Sequence, residues 1–152
     1  MAPLPEPRFA GFIGEHHILH LAVVRDNIPW CATCYYAYQK EENRFIFTSD
    51  PDTRHVRDMV ESGNYAVAGT IALETKIVGK IRGLQFSGRV RPLSGEEGQR
   101  ARKIYLKRFP VARLMPNLYL WELLPTSMKL TDNRLGFGTK LRWEADDAEM
   151  QD

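Results

Sequence analysis

Residues 45–59, FIFTSDPDTRHVRDM, carry the chain from a strand into a helix. Phe45 to Phe47 is a compact run of strand formers, Asp50-Pro51-Asp52 is turn chemistry, and Val56, Met59 and Val60 recur at helical spacing. This spacing predicts a helix that starts near Asp52 or Thr53 and carries Arg54 and His55 in its first turn. In that turn the helix dipole and the unpaired N–H groups favour acidic side chains and disfavour cations. Cations there suit a site where an anion sits. Backbone N–H groups, the hydroxyls of Thr48, Ser49 and Thr53 and the Arg54 guanidinium together match a phosphate. The alternative is that Arg54 pairs with Asp50, Asp52 or, four residues on, Asp58.

Outward from this stretch the chain reads mostly as strands. On the N-terminal side, Phe9, Phe12 and Ile13 make one apolar face of a short helix over residues 6–15. Residues 18–24 and 29–38 are strands joined by the turn Asp26-Asn27, a hairpin, and Lys40 to Asn43 turns the chain into the strand at 45–48. On the C-terminal side, Ser62-Gly63-Asn64 ends the helix. Strands over residues 65–73 and 84–90 follow, the second with Leu84, Phe86, Gly88 and Val90 facing in and Gln85, Ser87, Arg89 and Arg91 facing out. Ser94 with Glu97 forms a capping box for a helix that presents Ala101, Ile104 and Tyr105 and stops before Pro110. Closing strands are expected over 119–124 and 128–131, with turns at Asp132-Asn133 and 136–138 and a frayed acidic tail over about 144–152. Six or seven hairpin-linked strands with two or three short helices point to a mainly β chain, an antiparallel barrel rather than a parallel α/β sheet. GLQFSG lacks G-x-G spacing, so no dinucleotide fingerprint is present.

The 152 residues suit one domain over 1–152. Lys and Arg (21) nearly balance Asp and Glu (19), a net charge of +2, which offers no global field for nucleic acid or an anionic membrane. The opening MAPLPEPRFAGF lacks the apolar core of a signal peptide and no run is long enough to span a bilayer, so a cytoplasmic protein is expected. Cys31 and Cys34 form a C-x-x-C inside WCATCYYAY, which reads as a strand. Strand residues three apart face opposite sides, so these thiols are expected to form neither a disulfide nor a metal pair. His16, His17 and His20 straddle a helix-to-strand boundary without a nearby carboxylate set, which favours solvated or core histidines and no metal site.

The motifs WCATCYYAY, FTSDPDTRHVRDM, AVAGTI, IRGLQFSGRVRPLSGEE, RFPVAR and LTDNRLGFGTK, spread over residues 16–143, resemble the small YhbP-type proteins. More widely, Thr48, the turn, Thr53-Arg54-His55 and then Gly88 to Ser94 resemble the FMN-binding split β-barrel family related to pyridoxamine 5′-phosphate oxidase. That resemblance implies a split β-barrel, FMN as cofactor, and a homodimer with the flavin at the subunit interface. It implies Arg54 and His55 at the FMN phosphate, where the wider family has a Ser-Arg-Lys triplet. It also implies Ala32, Thr33, Cys34, Phe47, Thr48 and Ser49 along the isoalloxazine ring.

Two positions depart from the oxidase pattern. His55 stands in place of a lysine and offers a phosphate less charge when neutral. Gly83 stands in place of a flavin-contacting glutamine, with Gln85 as the substitute two residues on. No match exists for the basic segment that grips pyridoxamine phosphate, which argues against that reaction. A flavin-dependent oxidoreductase needs no catalytic side chain of its own, because the flavin carries the chemistry. The competing class is a non-catalytic flavin- or haem-binding protein or sensor on the same fold, using one of the four histidines for haem.

Overall fold

In the computed structural model, which describes residues 3–146, helix α1 (Pro7–Glu15) precedes the hairpin of β1 (Ile18–Arg25) and β2 (Ile28–Gln39). Then come β3 (Arg44–Thr48), α2 (Arg54–Ser62), β4 (Ala66–Ala72), β5 (Arg82–Pro92), α3 (Gly95–Arg108), β6 (Leu120–Asp132) and β7 (Lys140–Glu144). All pairings are antiparallel, in the order β3-β2-β1-β4-β5-β6-β7. β3 also pairs with β6, which closes six strands into a ring. β6 splits its partners: Leu120 to Leu123 pair with β3, whereas Ser127 to Thr131 pair with β7.

Local chemistry sets these elements. Asp26 (φ 51°) and Asn27 (φ 61°) are both left-handed, the requirement of a tight hairpin turn, and Gly63 (φ 68°) ends α2. Alternation then fills the ring with Leu19, Leu21, Phe45, Phe47, Leu84 and Leu123. Helix α1 stops one end with Phe9, Phe12 and Ile13, and the buried Tyr36 hydroxyl donates to Ile13 O at 2.6 Å. On the outside, α3 lays Ala101, Tyr105 and Leu106 on Ala37, Ile46 and Leu120. That covers the β2–β3–β6 side and leaves the outer face of β1 and β4 open.

Three expectations need correction. The two closing strands are one strand, β6, because Pro125 lies at a bulge where the register shifts opposite Ser87 and Gly88, a place that tolerates a residue without N–H. β7, not foreseen, pairs Glu144 with Ser127, and Ala145 is buried with its N–H on Thr126 O at 2.9 Å. The tail therefore remains packed through Ala145, while residues 147–152 lie outside the described residues. The capping box does not form, because Glu97 pairs with Arg91 at 2.8 Å instead and Ser94 makes no side-chain cap. The start of α2 stands where the sequence put it, with Thr53 at the N-cap and its hydroxyl donating back to Asp50 O at 2.7 Å.

Candidate functional site

Strand β3 delivers Thr48 and Ser49 to the turn, and the turn delivers Arg54 to the start of α2. Ser49 is fixed on several sides. Its N–H donates to Tyr119 O (3.1 Å), its carbonyl accepts from Trp121 Nε1 (3.1 Å), and its hydroxyl lies 2.7 Å from His55 Nε2 and 3.7 Å from Cys34 Sγ. The His55 ring is buried, and burial pushes its pKa below the ordinary value, against the opposing pull of Asp58. A neutral imidazole sharing a proton with Ser49 therefore braces the turn from within. Burial also pushes the Cys34 thiol up.

Arg54 faces the other way. Adjacent helix residues are about 100° apart, so His55 turns into the protein while Arg54 stays half-exposed. Its guanidinium carbon lies 4.0 Å from the Trp30 ring centroid, and Nε is 3.4 Å from Asp58 Oδ2. The Asp58 alternative read from the sequence therefore forms, as a long contact on a partly solvated surface, where such pairs contribute about 1 kcal/mol or less. The first turn of α2 holds no acidic residue and no side-chain cap. The first main-chain bond of the helix is Arg57 N–H to Thr53 O, so the amides of Arg54, His55 and Val56 precede the hydrogen-bonded ladder. Uncapped amides beside a guanidinium form a cationic corner.

Beside this corner runs an open strand edge. β2 pairs with β3 only over Tyr36 to Gln39, so residues 29–35 pair with β1 alone and present their other backbone edge toward the turn. The Trp30–Arg54 and Cys34–Ser49 contacts bracket that edge. Unpaired strand N–H and C=O groups are hydrogen-bonding partners for a flat polar ring.

The sequence-derived residues separate into three groups. Cys34, Ser49, Thr53, Arg54 and His55 meet at the turn, with Ala32 on the open edge. Phe47 is fully buried and stacks on Trp121, with 6.4 Å between ring centroids, and Thr48 Oγ1 lies 3.2 Å from the Tyr105 hydroxyl beneath α3. Thr33 and Gln85 belong to the outer barrel face, in one cross-strand row Thr33–His20–Thr70–Gln85, with His20 Nδ1 3.2 Å from Thr33 Oγ1. Three strand spacings, about 14 Å, separate the ends of that row. Trp30 was missed as a partner of Arg54, whereas Asp58 was read as one. Asp58 stood at the readable i,i+4 position, whereas Trp30 carried no signal beyond its place on the open edge.

Cys31 is exposed and Cys34 buried, as alternation on a strand requires. Among the described residues no group of three or more His, Cys, Asp or Glu is arranged to hold a metal, and no helix is long and apolar enough to cross a membrane.

No protein-family model matches the chain. A UPF0306 protein from Klebsiella pneumoniae (strain 342) is 43% identical over 135 residues, covering 89% of this chain and 90% of its own. The UPF0306 protein YhbP of Salmonella arizonae is 40% identical over 141 residues, covering 92% and 93%. Among solved structures, a heme binding protein from Mycobacterium smegmatis superposes with a TM-score of 0.71 at 14% identity; the match covers 87% of this chain and 54% of that one, so this chain spans about half its length. A FAD-binding protein (mll6688) from Mesorhizobium loti superposes with a TM-score of 0.66 at 16% identity over 84% of this chain and 94% of that one. At these identities the structural matches show the fold, a split β-barrel. Identity of 40% and more over nine-tenths of each relative's length shows that this chain belongs to the UPF0306 family, with the YhbP proteins.

Proposed function

We propose that the chain is an FMN-binding flavoprotein whose Arg54 corner holds the flavin phosphate, acting as an oxidoreductase on a small molecule or a reduced nicotinamide. The observation that carries this reading is the pairing of three uncapped amides at the start of α2 with a half-exposed guanidinium. The donor set fits the group: a dianion needs several N–H donors and a cation, and the turn supplies both. The Nε2 of the His55 ring is engaged by Ser49 and not by the phosphate in this reading. The share of His55 is the main-chain N–H and the stiffness of the turn.

The open β2 edge over Ala32 to Cys34 then lies along the ring, with Ser49 at one end. When bound, flavin supplies the electron chemistry, and the protein supplies binding, orientation and exclusion of water. A second subunit completes the site in this reading. The outer face of β1 and β4 exposes Ala66, Ala68 and Ala72 beside Ile18 and Val24, a smooth surface suited to packing against a copy of itself. Gln85, remote from Arg54 within one chain, would then reach the flavin across that interface.

A haem-binding or sensor role is the second reading, favoured by the exposed His20. Its Nδ1 faces Thr33, which leaves Nε2 directed to the surface. The absorption spectrum of the purified protein separates the two. Flavin bands that bleach anaerobically with NADH or NADPH support the oxidoreductase, flavin bands that never bleach support a flavin carrier, and a Soret band supports haem. A colourless protein that ignores added FMN and hemin contradicts both.

A further inference from the structure

A second opening lies at the far end of β3 from Arg54. It is a cleft of about 930 Å³ walled by Leu4, Tyr65, Leu124, Pro125 and Trp143, with Asn43, Glu41, Arg89, Arg91 and Glu122 supplying its polar groups. Its size is that of a small-molecule site, and its walls have the mainly apolar character such sites share.

The polar groups divide into spent and available ones. Arg91 engages both Glu97 (2.8 Å) and Glu122 (2.9 Å), and Glu122 is held on its other oxygen by Arg44 (2.5 Å). Two cations and two carboxylates there satisfy one another, and Glu42 adds a contact to Arg44 at 3.4 Å. Asn43 is different. It is 6% exposed, its Oδ1 accepts from the Tyr38 hydroxyl at 2.6 Å, and its Nδ2 has no partner among the described residues. An amide N–H without a partner at the wall of a cleft is a donor that a ligand can use. Arg89 and Glu41, both exposed at the cleft, make no ion pair among the described residues.

We propose that this cleft is a second, separate binding site, and that it takes a short apolar zwitterion of about dipeptide size. The apolar walls hold the side chains, Arg89 and the Asn43 amide receive the carboxylate, and Glu41 receives the ammonium group. Both termini are thereby read by opposite charges across one apolar floor. The site is independent of the flavin reading, because Arg54 and the open β2 edge contribute nothing to it.

The test uses the full chain and the dipeptide L-phenylalanyl-L-leucine, followed by NMR and by calorimetric titration. Saturable binding is expected to shift the Trp143 indole N–H, which donates to Pro3 O, and the Asn43 side-chain amide. Arg89→Gln and Asn43→Gly, the latter keeping the left-handed backbone (φ 48°), are each expected to weaken binding about tenfold, and Arg54→Ala to leave it unchanged. The N-acetylated and C-amidated dipeptides are expected to bind about tenfold more weakly than the zwitterion. Three results overturn the proposal: no saturable shift at Trp143, equal affinity for zwitterion and blocked forms, or Trp143 shifts that follow protein concentration without ligand, which place a second copy in the cleft.

Discussion

His55 Nε2 and Ser49 Oγ lie 2.7 Å apart, both buried, and so tie the first turn of α2 to the end of β3. Replacing His55 by Ala leaves the Ser49 hydroxyl with only the Cys34 thiol at 3.7 Å, and the expected loss is about 1–3 kcal/mol in urea denaturation.

The same pair makes stability depend on pH. Burial holds the folded-state pKa of His55 below its unfolded value, so the fold prefers the neutral ring. The penalty for protonation is absent above the unfolded pKa of about 6.5 and grows as pH falls from there toward the folded value. His55→Gln removes that contribution. The gap in Tm between native protein and variant is therefore expected to narrow as pH is lowered from about 7.5 to 5, and a constant gap would contradict the buried neutral imidazole.

Glu122 is the buried centre of the Arg44–Glu122–Arg91 network. Glu122→Gln leaves two guanidinium groups short of a carboxylate, and the expected cost is about 3–5 kcal/mol by chemical denaturation. Glu97→Gln, at the solvated end of the same network, is expected to cost far less. Equal losses would show that the interior of the network is as well hydrated as its rim.

The two thiols separate by face. One fast equivalent of a thiol reagent is expected per folded chain, from exposed Cys31, with Cys34 protected by burial and by a thiol pKa raised above the ordinary value. Serine at both positions is expected to leave any flavin reduction intact. Loss of turnover with flavin still bound would restore a redox role to the C-x-x-C.

What could be read from the sequence follows from how local each signal was. The alternation from Leu84 to Val90 and the hairpin turn at Asp26-Asn27 depend on nearest neighbours, and both stand in the structure as read. The continuity of β6 between residues 124 and 128 was not legible because it depends on a bulge at which Pro125 faces Gly88, a partner 37 residues away. β7 was invisible because Lys140–Glu144 is short and charged and becomes a strand only by pairing with β6. Glu97 was claimed for Ser94 by spacing but taken by Arg91 on another element. At the turn, Arg54 and His55 looked alike as cationic neighbours. The placement of His55 on the Val56 and Met59 face, which buries it, distinguishes the two.

The central claim is that the Arg54 corner recognises a phosphate on a flavin. Fluorescence titration of native protein and Arg54→Ala with FMN and with riboflavin, which lacks the phosphate, tests it directly. The expected result is tighter binding of FMN than of riboflavin by native protein, with Arg54→Ala losing about 1.5–3 kcal/mol for FMN and little for riboflavin. Equal affinities of native protein for the two flavins, or an unchanged FMN affinity in Arg54→Ala, would contradict it.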